Sequence, residues 1–136
     1  MKSCIKIFSG EKGTSAVEFA IILPILVMLV FGIIQFGLVF NKYIAITHAA
    51  REGVRLAAVG LDGDLVSFKQ AVKDSAPTVV IEDDDIIVTN PPGDIRIGNP
   101  VTVTVTGETF NIDIPGVGEW SIPLTSTAAM RREKTY

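Results

Sequence analysis

The side chains in this sequence that could bind a metal ion are concentrated in one acidic run. Residues 82–85 are four consecutive carboxylates, and Asp83, Asp84 and Asp85 are candidate calcium ligands because Ca²⁺ is coordinated by oxygen atoms. The run lacks the twelve-residue loop with spaced acids that is usual for calcium, and adjacent carboxylates repel each other. An exposed loop is therefore the alternative, and no metal site is predicted beyond these three candidates.

The residues that most often carry catalysis do not form a set. His48 is the only histidine and Cys4 the only cysteine, so the chain can form no internal disulfide and no histidine–cysteine metal site. The sequence has no glycine-rich phosphate loop and no pair of acids whose spacing predicts general acid and base roles. We therefore predict a protein that is not an enzyme and needs no cofactor.

Charge is distributed unevenly along the chain. The net charge is −3, but Lys2, Lys6 and Lys12 make the first residues basic, whereas residues 61–136 contain six basic and twelve acidic side chains. A nucleic-acid-binding protein needs a basic surface to neutralise phosphates. The balance predicts that nucleic acid is not a partner.

A carboxylate also lies next to a long apolar stretch. From Phe19 to Phe40 there is no charged residue in 22 positions, and Gln35 is the one strongly polar side chain. As a helix the stretch is about 33 Å long, which matches the hydrocarbon thickness of a bilayer. We therefore predict one membrane span over residues 19–40, with Glu18 at its edge.

Several short motifs in and around this span resemble one known family. They are Gly13-Thr14-Ser15-Ala16-Val17-Glu18-Phe19, Leu23-Pro24, Phe31-Gly32, Gln35-Phe36-Gly37 and Ala49-Ala50-Arg51-Glu52-Gly53-Val54-Arg55. Together they resemble the TadE-like proteins, which are pseudopilins of the tight-adherence (Flp) pilus and are type IV pilin-like. The resemblance covers about residues 13–59 and is weak beyond Gly60.

The resemblance implies processing followed by assembly. Gly13 and Thr14 would flank a prepilin-type cleavage site, at which a prepilin peptidase on the cytoplasmic side removes residues 1–13. Glu18 would become the fifth mature residue, and Glu18, Phe19 and Pro24 would serve assembly with other pilin or pseudopilin subunits. The implied partners are the membrane, the peptidase and these subunits.

The residues around Glu18 allow two interpretations. Cleavage after Gly13 would place a free ammonium on Thr14, one helical turn from Glu18, where it could neutralise the carboxylate within one chain or between neighbours. The alternative is an interfacial acid at a helix start, where negative charge favours the helix dipole. Pro24 removes an amide donor inside the apolar helix, so we expect a bend or a loosened turn there.

The helical pattern continues beyond the span to Gly60, the predicted helix end. Mostly small side chains recur at steps of three and four and would allow another backbone to approach closely: Tyr43, Ile46, Ala50, Gly53, Ala57 and Gly60. The other face is charged and is either solvated or in contact with an acidic neighbour: His48, Arg51, Glu52 and Arg55. A short helix over residues 65–75 is predicted next, with an apolar face of Leu65, Phe68, Ala71 and Val72.

The remaining sequence predicts about four antiparallel strands. Apolar residues alternate from Val101 to Val105 and from Phe110 to Ile114, and Gly107-Glu108 joins these runs so closely that residues 101–114 predict a hairpin. A third run extends from Trp120, interpreted as a core anchor, to Met130, and residues 86–89 form a fourth. The fold class is α+β and pilin-like, with a long N-terminal transmembrane helix, a short second helix and a small antiparallel sheet.

Two functions fit these observations. The first is a structural pilin-like subunit of a tight-adherence pilus, with a leader at 1–13, an apolar helix and its extension at 14–60, and a small extracytoplasmic domain at 61–136. Its N-terminus would be cytoplasmic before processing, and the assembled subunit would lie in an extracellular filament. The alternative is a single-pass, membrane-anchored extracytoplasmic binding module with an acidic domain.

Overall fold

The computed structural model describes residues 11–90, 96–114, 116 and 118–134, so most of the predicted leader, including Cys4, lies outside the described residues. The helices are α1, Glu11–Ala58, and α2, Leu65–Asp74, with short 3-10 turns at Leu61–Gly63 and Asp83–Asp85. The strands are β1, Ile86–Thr89; β2, Pro100–Thr106; β3, Phe110–Ile114; β4, Gly118–Ile122; and β5, Thr125–Arg131. The predicted α+β class is confirmed.

Helix α1 joins the apolar stretch to the globular part without interruption. It continues through Pro24, whose missing amide donor does not end it. It ends at Ala58, and Gly60 follows with φ of 83°, a left-handed conformation that glycine adopts at little cost. The predicted helix end is therefore confirmed.

The second half of α1 covers a sheet. Ile46, Ala50 and Ala57 are fully buried against β2, β5 and α2. A Cβ atom on Gly53 would come within 3.0 Å of Val103 Cγ1 and 3.2 Å of Val72 Cγ2. The small residues of the predicted seam thus admit elements of the same chain, whereas Tyr43, its first residue, is 46% exposed.

Helix α2 packs on the same region through fewer residues than its pattern predicts. Phe68 and Val72 are buried, whereas Ala71 is half-buried and Leu65 is 55% exposed. The helix is ten residues long, and Ser75 follows it with its amide bonded to the Ala71 carbonyl. Helix α2 therefore contributes two side chains to the core and leaves its first turn in solvent.

The central strand β2 lies between two antiparallel neighbours, in the order β1, β2, β5. Val101, Val103 and Val105 are fully buried, and Val103 lies opposite Val88 of β1 and Ala128 of β5. The alternation of valine and threonine therefore orients one face of β2 toward α1.

The predicted hairpin over residues 101–114 is wrong. Both edges of β2 are already paired, and the Gly107 amide donates to the Leu124 carbonyl at 2.8 Å, which directs the chain away from the sheet. β3 pairs instead with β4, with Ile112 opposite Trp120. Apolar alternation identifies a strand but does not identify its partner.

The described strands number five in two sheets, rather than about four in one. The predicted run from Trp120 to Met130 is divided because Pro123, which cannot donate to a ladder, separates β4 from β5 and Leu124 is buried in the core. Trp120 is 49% exposed on β4. Its predicted role as a core anchor is therefore wrong.

Candidate assembly helix and its junction with the domain

The first part of α1 extends beyond the three-stranded sheet and is largely uncovered. Every residue from Gly13 to Phe31 is exposed. Among the described residues, one helix, over Gly13–Ala58, is long and apolar enough to cross a membrane; its most apolar window has a mean hydropathy of 2.8 and is not buried. An uncovered surface of this kind is stable only against lipid or other apolar helices.

The predicted processing and assembly residues lie at the start of this helix. Gly13, Thr14, Glu18 and Phe19 are all exposed, and Thr14 and Glu18 share one face because they are four residues apart. A Cβ atom on Gly13 would meet no neighbouring atom within 4 Å. Pro24 lies ten residues after Thr14 on the same helix. These residues therefore lie along one exposed helix, and no other element encloses them.

The acidic run is engaged by lysines of α2. Asp83 Oδ1 lies 2.5 Å from Lys73 Nζ, and Lys69 Nζ donates to the Asp83 carbonyl at 2.6 Å. The Lys73 ammonium lowers the pKa of Asp83 through a hydrogen bond and through charge attraction. Asp85 accepts a hydrogen bond from the Glu82 amide at 3.0 Å. Within the described residues no three histidine, cysteine or acidic side chains could hold a metal together, so the calcium hypothesis gains no support.

A shallow groove of about 560 Å³ lies between the charged face of α1 and strand β5. His48 and Arg51 line it with Thr127 and Met130. Beside them Arg55 donates from Nη2 to Glu52 Oε1 at 2.5 Å and from Nε to Oε2 at 3.0 Å. The hydrogen bond from Arg55 lowers the pKa of Glu52. The face predicted to be solvated or to meet a partner is thus exposed and partly paired within itself.

A buried ion pair holds the end of α1 to the end of β5, and the sequence did not reveal it. Arg132 donates from Nη1 and Nη2 to the two carboxylate oxygens of Asp62 at 2.9 and 2.7 Å, and both residues are buried. Nη2 also donates to Asn90 Oδ1 at 2.8 Å. The only signal was a pair of opposite charges, one in the turn after Gly60 and one in the ending Met130-Arg131-Arg132-Glu133.

Backbone hydrogen bonds complete this junction. The Glu133 and Lys134 amides donate to the Ala58 carbonyl at 2.7 and 3.1 Å, which satisfies a carbonyl at the C-terminus of α1. The Gly98 amide donates to the Arg132 carbonyl at 2.7 Å, and the Arg132 amide donates to the Asn99 carbonyl at 2.8 Å. The C-terminal end of α1 is therefore fixed to the domain by backbone hydrogen bonds and by the Asp62–Arg132 ion pair.

The β3–β4 hairpin contacts α1 on the other side of the junction, within the predicted span. The Gln35 side-chain amide donates to the Asp113 carbonyl, and Lys42 pairs with Glu108. Lys42 Nζ also lies 5.2 Å from the centre of the Phe110 ring. Gln35, the only strongly polar side chain of the apolar stretch, is thus held by the hairpin.

Comparison with known families identifies the same segment that carries these features. The family model described as TadE-like protein matches residues 13–55, which run from the predicted cleavage site to Arg55. The predicted resemblance is confirmed over these residues, which are less than half of the chain. The family is associated with the Tad pilus and is not known for enzymatic activity. No curated protein and no solved structure matches the chain.

Proposed function

We propose that this chain is a pseudopilin-type structural subunit of a tight-adherence pilus. The observation that carries the proposal is the uncovered apolar half of α1, which extends from a folded domain and bears Glu18 near its exposed end. The family match over residues 13–55 supports the same conclusion because it covers this helix and little else. In this proposal residues 19–40 cross the membrane, the N-terminus is cytoplasmic, and the domain is extracytoplasmic.

The proposed mechanism is an exchange of surroundings for one helix. Lipid covers the apolar side chains in the bilayer, and neighbouring subunits cover them in the filament, so that extraction does not transfer them to water. Removal of residues 1–13 by a prepilin peptidase leaves an ammonium on Thr14, one turn from Glu18. A carboxylate in an apolar filament core needs such a partner because an unpaired buried charge is costly.

The mature N-terminus tests the proposal. In cells that assemble tight-adherence pili, mass spectrometry of the purified protein should find Thr14 as the first residue. Gly13→Val should leave the full-length precursor in the membrane, and Gly37→Val is a matched control because both glycines have open space around them. Normal processing and assembly of Gly13→Val would contradict the proposal.

Glu18 offers a second test, directed at assembly rather than cleavage. Glu18→Ala should give a stable, inserted and processed protein that does not enter filaments, because the Thr14 ammonium loses its partner. Glu133→Ala, the same truncation at an exposed carboxylate outside α1, should assemble normally. Sheared-filament yield and membrane content of each variant measure the difference, and equal filament yields would argue against a role for the carboxylate.

The second candidate is a permanent membrane anchor that carries a binding module. The groove between α1 and β5 favours it, because Arg51 offers positive charge and both Arg51 and His48 offer hydrogen-bond donors at an open surface. This candidate requires that Met1 remains the N-terminus and that no polymer forms. The N-terminal measurement therefore separates the two functions.

A further inference from the structure

The β3–β4 hairpin runs along the part of α1 that is predicted to lie in the membrane. Three contacts mark its course: Lys42 with Phe110, Gln35 with the Asp113 carbonyl, and Met28 Cε, 3.1 Å from a Cβ built on Gly116. The step of seven residues from Lys42 to Gln35 on the helix is about 10 Å, and the step of three from Phe110 to Asp113 on the strand is also about 10 Å. Gly116 lies in the turn that follows β3. The hairpin therefore extends toward the N-terminus of α1 and reaches Met28.

This position conflicts with a bilayer around residues 19–40. Met28 lies twelve residues from Phe40, so the hairpin tip would be about 18 Å inside the hydrocarbon. A two-stranded sheet has unpaired backbone groups on both outer edges, and open sheet edges do not occur in contact with lipid. Asp113 and Glu119 lie opposite each other in the register and are both exposed, which adds two carboxylates to the cost.

We propose that the β3–β4 hairpin is a latch that is released from α1 while residues 19–40 cross a bilayer of full thickness. It closes on α1 through Gln35 when that part of the helix is not surrounded by lipid. The latch rests on the membrane span in the proposed function and does not depend on whether a filament forms.

The connections of the hairpin fit a movable unit. The hydrogen bond from the Gly107 amide to the Leu124 carbonyl fixes its base, and Leu124 is buried in the core. Beyond this point the hairpin shares no strand pairing with the three-stranded sheet. The chain leaves at Glu108 and returns at Pro123, both of which are exposed. These two connections can serve as the hinge.

The contacts that close the latch are few and imperfect. Gln35 Oε1 is buried and accepts no hydrogen bond among the described residues, so closure leaves one acceptor unsatisfied. The Lys42–Glu108 pair is partly exposed and contributes little. Every residue of β4 from Gly118 to Ser121 is exposed. A change of surroundings can therefore shift the balance between the two positions.

Disulfide trapping in bilayers of two thicknesses tests the latch in the full-length chain with Cys4→Ser. The pair Met28→Cys and Gly116→Cys reports on the tip. The pair Thr104→Cys and Thr127→Cys is the control, because these residues lie opposite each other on β2 and β5 with their hydroxyl oxygens 3.0 Å apart. In thin dilauroyl-phosphatidylcholine bilayers less of the helix is immersed, and the hairpin can remain closed. We expect the tip disulfide yield to be at least fivefold lower in thick dierucoyl-phosphatidylcholine bilayers, with an unchanged yield for the control pair.

Gly116→Cys is prone to misfold, because Gly116 has φ of 83°, a conformation in which a side chain is strained. Two further measurements therefore test the latch without relying on that variant alone. Spin labels at Met28→Cys and Glu119→Cys avoid Gly116 and should separate by more than about 10 Å in the thick bilayer, since the strand is an arm of about 17 Å. Gln35→Leu should lower the tip disulfide yield at least threefold in the thin bilayer, whereas the lipid-facing control Phe36→Leu should not. Equal tip yields and equal label distances in the two bilayers would overturn the proposal, and the N-terminus at Thr14 would be unaffected by that result.

Discussion

Removal of the Asp62 carboxylate should destabilise the whole globular part. Asp62→Ala leaves the Arg132 guanidinium, only 2% exposed, without its bidentate partner. Loss of one member of a buried ion pair costs about 3 to 5 kcal/mol. A folded unit of roughly 90 residues, which includes the second half of α1, has a total stability of about 5 to 13 kcal/mol. The substitution therefore removes a large part of the free energy of unfolding.

A double-mutant cycle separates two parts of the loss in the free energy of unfolding: the part due to an unbalanced buried charge and the part due to lost packing. Arg132→Met should also be destabilising, because it leaves Asp62 buried without its partner, whereas Asp62→Leu combined with Arg132→Met should cost less than either single change. Arg131→Met is the matched control, since Arg131 is the exposed neighbour, and should change stability by less than about 0.5 kcal/mol.

Amide hydrogen exchange of strand β2 in the detergent-solubilised full-length chain is the suitable assay. The buried central strand reports global opening of the domain, and the membrane part of α1 does not contribute to its signal. A loss of less than about 1 kcal/mol for Asp62→Ala would refute the reasoning. So would a double variant as unstable as the sum of the two single variants.

The remaining predictions concern an ion pair and a close contact. Lys73→Met should raise the pKa of Asp83 toward its ordinary value, as NMR titration can measure. The stabilisation from this pair is present above the ordinary pKa and is lost as the pH falls through the lowered pKa of the folded state. Gly53→Ala should be less favourable than Gly37→Ala by about 1 to 3 kcal/mol in the same exchange assay. Both changes gain the same helix propensity, but a Cβ at Gly53 crowds Val103 and Gly37 lies in open space. Equal effects would contradict the contact.

The sequence was sufficient to predict the elements whose signals are local. An uncharged stretch of 22 residues predicts a helix because no other arrangement satisfies its backbone in an apolar environment. Gly60 predicts the helix end because a left-handed residue is needed there. The valines of β2 predict a buried strand because the two faces of a strand alternate.

Features that depend on pairing between distant segments could not be predicted in the same way. Besides β1, β2 pairs with β5 rather than with β3, because the Gly107 amide bonds to Leu124 and the intervening residues leave the sheet. The Asp62–Arg132 pair joins residues 70 positions apart. Opposite charges occur throughout the chain, and only the fold selects the two that meet in the core.

The second half of α1 is packed within its own chain, and this limits how the helix can take part in the proposed assembly. Ile46, Ala50 and Gly53 are already packed against the sheet of the same chain, so they are not available to a neighbouring subunit. The predicted division at Gly60 separates sequence segments, but α1 supplies one side of the core of the domain that follows. In the proposed filament, contacts between subunits through α1 would therefore use residues 14–40 and the exposed groove face. Helix α1 is continuous, and it contributes one half to the core and the other to this apolar surface. A force applied to its exposed part is therefore transmitted directly to the folded domain.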